Sequence, residues 1–206
     1  VAEAGNQRVQ KFSSAGAFVL AFGLDVVAGG GTGFEKCTVA AQCQTGNIGT
    51  GEGEFLNVYG VAVGPDGNVY VADGGNHRVQ VFTPDGDFVK MFGWGVAGGA
   101  GLETCLAGGG CVNGISGVGP GHLNTPFALA FDPAGNVYVS ENGNSRVQKF
   151  DAAFNVLTQI GGPGNGDGQF SYPGGITVGP DGRVYVADAY HDRIQVFRSR
   201  LTATLD

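Results

Sequence analysis

Three histidines, four cysteines and four acid–arginine pairs are the residues of this sequence best suited to chemistry. An imidazole can ligate zinc or move a proton near neutral pH, so His77, His122 and His191 could in principle form a three-ligand metal centre. Their contexts differ, however. His77 and His191 stand just before an arginine, in N-H-R and H-D-R, whereas His122 stands in G-H-L. A metal triad and solvated turn histidines are the two readings. Glu3, Asp73, Glu141 and Asp188 are each followed, at one constant interval, by Arg8, Arg78, Arg146 and Arg193. A carboxylate and a guanidinium at fixed spacing can form a bidentate pair. An active site needs its groups once, so a pair repeated four times reads as architecture, with a ring of ligand-binding pairs as the alternative. Cys37 and Cys43, and likewise Cys105 and Cys111, share one spacing inside glycine-rich sequence with no histidine between them. Zinc sites usually bring a closer cysteine pair together with a second pair or histidines. Two local disulfides are therefore expected, and they imply an oxidising compartment, hence a secreted or cell-surface protein.

Other chemistry finds little support. The sequence has no G-x-S-x-G, no P-loop and no H-E-x-x-H. Asp-Gly stretches such as Pro84–Asp87 and Gly164–Gly168 lack the spaced acidic ladder and closing glutamate of an EF-hand. No cofactor is expected, and calcium and zinc are the only ions considered.

These residues sit on a repeated unit. N-Q-R-V-Q-K-F (6–12), N-H-R-V-Q-V-F (76–82), N-S-R-V-Q-K-F (144–150) and H-D-R-I-Q-V-F (191–197) are copies of one segment. Three of them follow G-N-V-Y-V-A-D (67–73), G-N-V-Y-V-S-E (135–141) and G-R-V-Y-V-A-D (182–188). Upstream lie G-V-A-V, A-L-A-F and G-I-T-V, each introduced by a G-x-G-x-G-like lead-in. One spacing separates Phe55 from Arg78, Leu123 from Arg146 and Phe170 from Arg193, so no insertion falls inside a unit. Each unit reads as four short strands, a to d. Alternating β-formers build the strands, and a Pro-x-Gly turn joins a to b. Four antiparallel strands per repeat is the signature of a β-propeller.

The motifs P-x-G-[IV]-x-V, G-x-V-Y-V-A-D and N-x-R-[VI]-Q-x-F resemble those of the NHL-repeat family. The resemblance covers most of the chain outside two inserts and implies an all-β propeller of four-stranded antiparallel blades. It leaves function open, because the family includes protein-binding platforms, RNA-binding propellers and amidating lyases that use propeller histidines and a metal. Residues 1–206 are expected to form one propeller domain or a fragment of one. The expected division is a partial blade (1–23), a cysteine-containing insert (24–48), a blade (49–93), a second such insert (94–116), a blade (117–161) and a partial blade (162–206). The first unit carries strands c and d. The last carries a, b and c, and its tail lacks the strand d pattern. The end edges are thus expected to be completed by further sequence or by another chain. The inserts are expected side by side on one face, as glycine-rich loops without a core, serving either binding or nothing beyond tolerance.

Forty of the 206 residues are glycine, against a usual share of about 7%, which fits a turn-rich β fold. A net charge of −7 and a pI near 4.8 argue against nucleic acid as a partner, and no apolar run is long enough for membrane insertion. The leading expectation is an extracellular, non-catalytic binding or scaffold propeller whose partners are other proteins or copies of itself. The alternatives are a structural subunit of an extracellular assembly or filament joined through open strand edges, and a metal-dependent lyase or hydrolase of the amidating-lyase type.

Overall fold

A computed structural model describes residues 1–198. The strands fall where valine, isoleucine and aromatic residues alternate, and the turns fall where glycine takes a left-handed conformation. Gly67, Gly135 and Gly182 close the a–b turns at φ 80°, 84° and 76°. The strands form four antiparallel sheets. The first holds β1 (Ala2–Glu3), β2 (Arg8–Phe12), β3 (Phe18–Leu24) and β4 (Phe34–Cys37). The second has five strands: β5 (Val58–Val63), β6 (Val69–Asp73), β7 (Arg78–Phe82), β8 (Phe88–Trp94) and β9 (Leu102–Leu106). The third runs β10 (Pro126–Phe131), β11 (Val137–Glu141), β12 (Arg146–Phe150) and β13 (Val156–Gly161). The fourth holds β14 (Pro173–Val178), β15 (Val184–Asp188) and β16 (Arg193–Phe197). The expected tail beyond strand c of the last unit lies, from residue 199 on, outside the described residues. Among the described residues no helix is long and apolar enough to cross a membrane.

The sheets are the blades of a β-propeller, packed face to face. Strand a of each, β5, β10 and β14, lies beside its neighbour along the inner rim. Between the first and second blades Val9, Leu20 and Phe22 meet Phe55, Val71 and Phe82. Between the second and third, Val79, Val81 and Phe92 meet Leu123, Val139 and Phe150. Between the third and fourth, Tyr138 and Val147 meet Phe170 and Val186. The same positions recur at each junction because alternation along a strand sends one residue to each neighbouring blade.

The inserts differ from expectation. Each contributes an extra strand, β4 or β9, paired antiparallel to strand d of its own blade, with Ala21 opposite Cys37 and Met91 opposite Cys105. The edge of strand d offers unpaired backbone groups, and the segments F-E-K-C and L-E-T-C-L satisfy them. The boundaries expected after residues 23 and 93 therefore fall one residue inside β3 and β8. Nor do the inserts lack cores. The Cys37–Cys43 bond packs with Ala21 and Val26, and the Cys105–Cys111 bond with Met91 and Val96. Both inserts run along the outer edge and return over the b–c turn of their own blade, where Gly46 donates to the Asn6 carbonyl and Gly114 to that of Asn76.

Candidate functional site

The four acid–arginine pairs sit directly opposite one another at the ends of strands b and c. In the second blade Asp73 and Arg78 are wholly buried. Asp73 Oδ2 accepts from Arg78 Nε at 2.8 Å, Asn76 Nδ2 at 2.9 Å and Gln80 Nε2 at 3.0 Å, and Oδ1 accepts from the Leu56 N–H at 2.8 Å. The rest of the guanidinium donates to the carbonyls of Thr50, Gly51 and Glu54 at 2.6–2.8 Å and to that of Val112 at 3.1 Å. Gln80 closes the clamp, donating to Glu54 O and accepting from Gly53 N–H. Gly53, Gly121 and Gly168 occupy this spot at φ 75–83° and present their N–H groups to Gln80, Gln148 and Gln195.

The third blade repeats the clamp, with Glu141 holding Arg146, Gln148, Asn144 and the Asn124 N–H. In the fourth, Asp188 holds Arg193, Gln195, His191 and the Ser171 N–H. In the first, Glu3 holds Arg8, Gln10 and Asn6. Burial pushes the Asp73 and Glu141 carboxyls upward, opposed by their arginines. Burial acts the same way on Asp188, but the Ser171 N–H, Arg193, His191 and Gln195 outweigh it and hold that carboxyl at about 2. In the second, third and fourth blades the clamp ties the glycine-rich lead-in to strand a onto strands b and c. The glutamine, present in all four units, is a member that the acid–arginine pattern alone does not reveal.

The histidines do not meet. His77, at φ 52°, accepts the Thr125 N–H of the next blade on Nδ1 at 3.2 Å. In the equivalent position Gln7 Oε1 accepts the Asn57 N–H at 2.6 Å. His77 is therefore a staple between blades rather than a solvated turn residue, and burial lowers its pKa. His122 stacks on Trp94 with ring centroids 3.8 Å apart, and its carbonyl accepts from Arg146 and Gln148. His191 takes the place that asparagine holds in the other three clamps and bonds Asp188 at 2.9 Å. Among the described residues no group of three or more His, Cys, Asp or Glu could hold a metal ion.

Where the units differ, the differences converge. Tyr190 stands where the other blades have Gly5, Gly75 and Gly143, and Asn142 where they have Ala4, Gly74 and Ala189. Gly174 stands where the second and third blades have Tyr59 and Phe127, and Tyr172 where they have Asn57 and Thr125. All of these line one groove of about 310 Å³ on the inner rim, between strands β10 and β14. A bulge at the start of strand a turns Tyr59 and Phe127 outward, and their rings stack at 4.9 Å with 24° between planes. Tyr172 and Tyr190, 48% and 67% exposed, pack on each other at 4.4 Å. The Oδ1 of Asn142 is buried without a hydrogen-bond partner. None of the residues lining the groove is charged. The surface offers aromatic faces and uncharged polar groups.

Comparison with known proteins agrees with this architecture. The NHL repeat model matches residues 55–82, 123–150 and 170–197. A 51-residue stretch is 43% identical to Protein brain tumor of Drosophila melanogaster, covering 25% of this chain and 5% of that protein. A 46-residue stretch is 48% identical to B-box type zinc finger protein ncl-1 of Caenorhabditis elegans, covering 22% of this chain and 5% of that one. The matched stretch thus spans a small fraction of these relatives. In fold, the chain resembles a structural genomics protein of unknown function from Bacteroides thetaiotaomicron, with a TM-score of 0.56 and 16% identity over 92% of this chain and 46% of that one. Each match runs from three residues before strand a to the end of strand c of the second, third or fourth blade, so the chain carries three NHL repeats as blades of a β-propeller.

Proposed function

We propose that this chain is an extracellular, non-catalytic binding module that holds a segment of another protein in the groove between β10 and β14. The observation behind this reading is that the residues departing from the repeat converge on one uncharged, aromatic-lined surface, while the repeated acid–arginine pairs are consumed by the blade clamps. The two disulfides favour an oxidising location, and the acidic charge of −7 disfavours a phosphate backbone as partner. A peptide-display library panned against the protein tests the proposal. Enriched peptides should bind the parent and lose binding to a Tyr172→Ala, Tyr190→Ala variant. Equal binding to both would refute the groove as the site.

A second reading is assembly through the end edges. A largely apolar groove of about 410 Å³, lined by Val9, Phe12, Val61 and Val63, lies between the first and second blades, next to the short edge strand β1. Ile194 and Val196 are 62% and 52% exposed on the fourth, at positions where Val79 and Val81 are buried in the second. Light scattering separates the readings, since a particle of 20.9 kDa would count against assembly.

A further inference from the structure

We propose that the inner-rim groove receives one aromatic side chain of a partner protein, which completes a stack of rings that the repeat begins and Gly174 interrupts. This rests on the binding reading above and names the chemistry of what is bound.

The bulge position of strand a carries Tyr59 in the second blade, Phe127 in the third and Gly174 in the fourth. Tyr59 lies on Phe127 with nearly parallel rings. A side chain at 174 would continue that stack: a Cβ built there lies 4.0 Å from Phe127 Cε1, 4.0 Å from the Ala189 Cβ and 3.8 Å from the Ala187 carbonyl. These are ordinary contacts, and the backbone of Gly174 is not in the left-handed region. Neither sterics nor conformation therefore demands glycine here. Its effect is to leave a ring-sized slot against the outer face of Phe127, with Tyr172 and Tyr190 closing the far side. Aromatic pairs favour this offset, near-parallel geometry.

The slot also selects among rings. Its lining carries no charge, so a charged head group would lose its hydration without gaining a partner. The unpartnered Oδ1 of Asn142 and the hydroxyl of Thr125 beside it favour a ring that brings a donor, which tryptophan and tyrosine do and phenylalanine does not. A nucleobase offers a ring too, but its phosphates would meet a chain of net charge −7. The favoured occupant is a tryptophan or tyrosine of a protein partner.

The test uses isotopically labelled protein titrated with N-acetyltryptophanamide, N-acetyltyrosinamide, uridine and adenosine. The aromatic amides should shift the amide signals of Thr125, Asn142 and Gly174. Gly174→Phe should weaken that binding about tenfold, the scale of a lost stacked pair together with its burial, while the thermal midpoint stays at the parent value. Absence of shifts, their persistence in Gly174→Phe, or tighter binding of a nucleoside would each overturn the proposal. If Gly174→Phe lowers the midpoint, Tyr190→Ala supplies the same comparison from an exposed residue and should weaken the amides alike. Groove-dependent peptides that lack aromatic residues would leave the binding function standing and refute the ring.

Discussion

His77 offers the sharpest check on how the blades are joined. Its Nδ1 accepts the Thr125 N–H of the next blade, the role that Gln7 plays one blade earlier, whereas Ser145 occupies the same left-handed position in the third blade with a much shorter side chain. His77→Ser keeps a residue type that the turn accepts and removes the acceptor, leaving a half-buried N–H without its bond. That costs about 1–3 kcal/mol, or roughly 2–12 °C in the thermal midpoint of a domain this size. His77→Gln keeps an acceptor and should stay close to the parent at pH 8. The pH dependence separates the variants further. Only the neutral ring accepts on Nδ1, and burial lowers the folded pKa below 6.5. The unfolded chain therefore takes up the proton first, so the histidine's contribution is complete above pH 6.5 and is lost as the pH falls towards the lowered value. Between pH 8 and pH 5 the parent should lose stability relative to His77→Gln, as read by circular dichroism melts. A serine variant that melts with the parent, or a glutamine variant as weak as the serine one, would refute the staple.

The clamps should differ in strength with their burial. Arg78→Met strands a buried Asp73 and is expected to cost about 3–5 kcal/mol. Arg193→Met, in a clamp whose arginine is 30% exposed, should cost distinctly less, and urea titration of both compares them. Cys105→Ser with Cys111→Ser should loosen the second insert by about 2 kcal/mol of lost loop constraint. Hydrogen exchange should then speed up in β9 and around Val112 while the third blade keeps its protection.

Much of this architecture was legible because the repeat reports the same physics several times. The strands, the glycine turns and the opposed acid–arginine positions follow from alternation, left-handed glycines and constant spacing. The insert strands β4 and β9 were harder to see. F-E-K-C and L-E-T-C-L are too short to stand out against glycine-rich sequence, and what makes them strands is the free edge of strand d beside them. Gln80 was visible as a repeated letter, but its function depends on the lead-in folding back onto strand c. The groove was hidden for another reason. Tyr190 and Tyr172 belong to the fourth unit and Asn142 and Phe127 to the third, and only the packing of neighbouring blades brings these departures together.

The clamp also fixes where one heritable piece ends and the next begins. Arg78 reaches back 24 to 28 positions to Glu54 and Thr50, Arg146 over the same interval and Arg193 over 24 to 27. The lead-in and strands b and c are thus tied together by most of the clamp's bonds, while strand d and its insert add only a few, such as those from Arg78 to Met91 Sδ and the Val112 carbonyl. A crossover between genes at the c–d turn would carry most of the clamp, whereas one between strands b and c would split it. Shuffled or circularly permuted versions of this protein should therefore tolerate joints at Pro84–Gly86 far better than joints at Gly74–Asn76, and the rigid unit on which duplication acts is three strands wide rather than four.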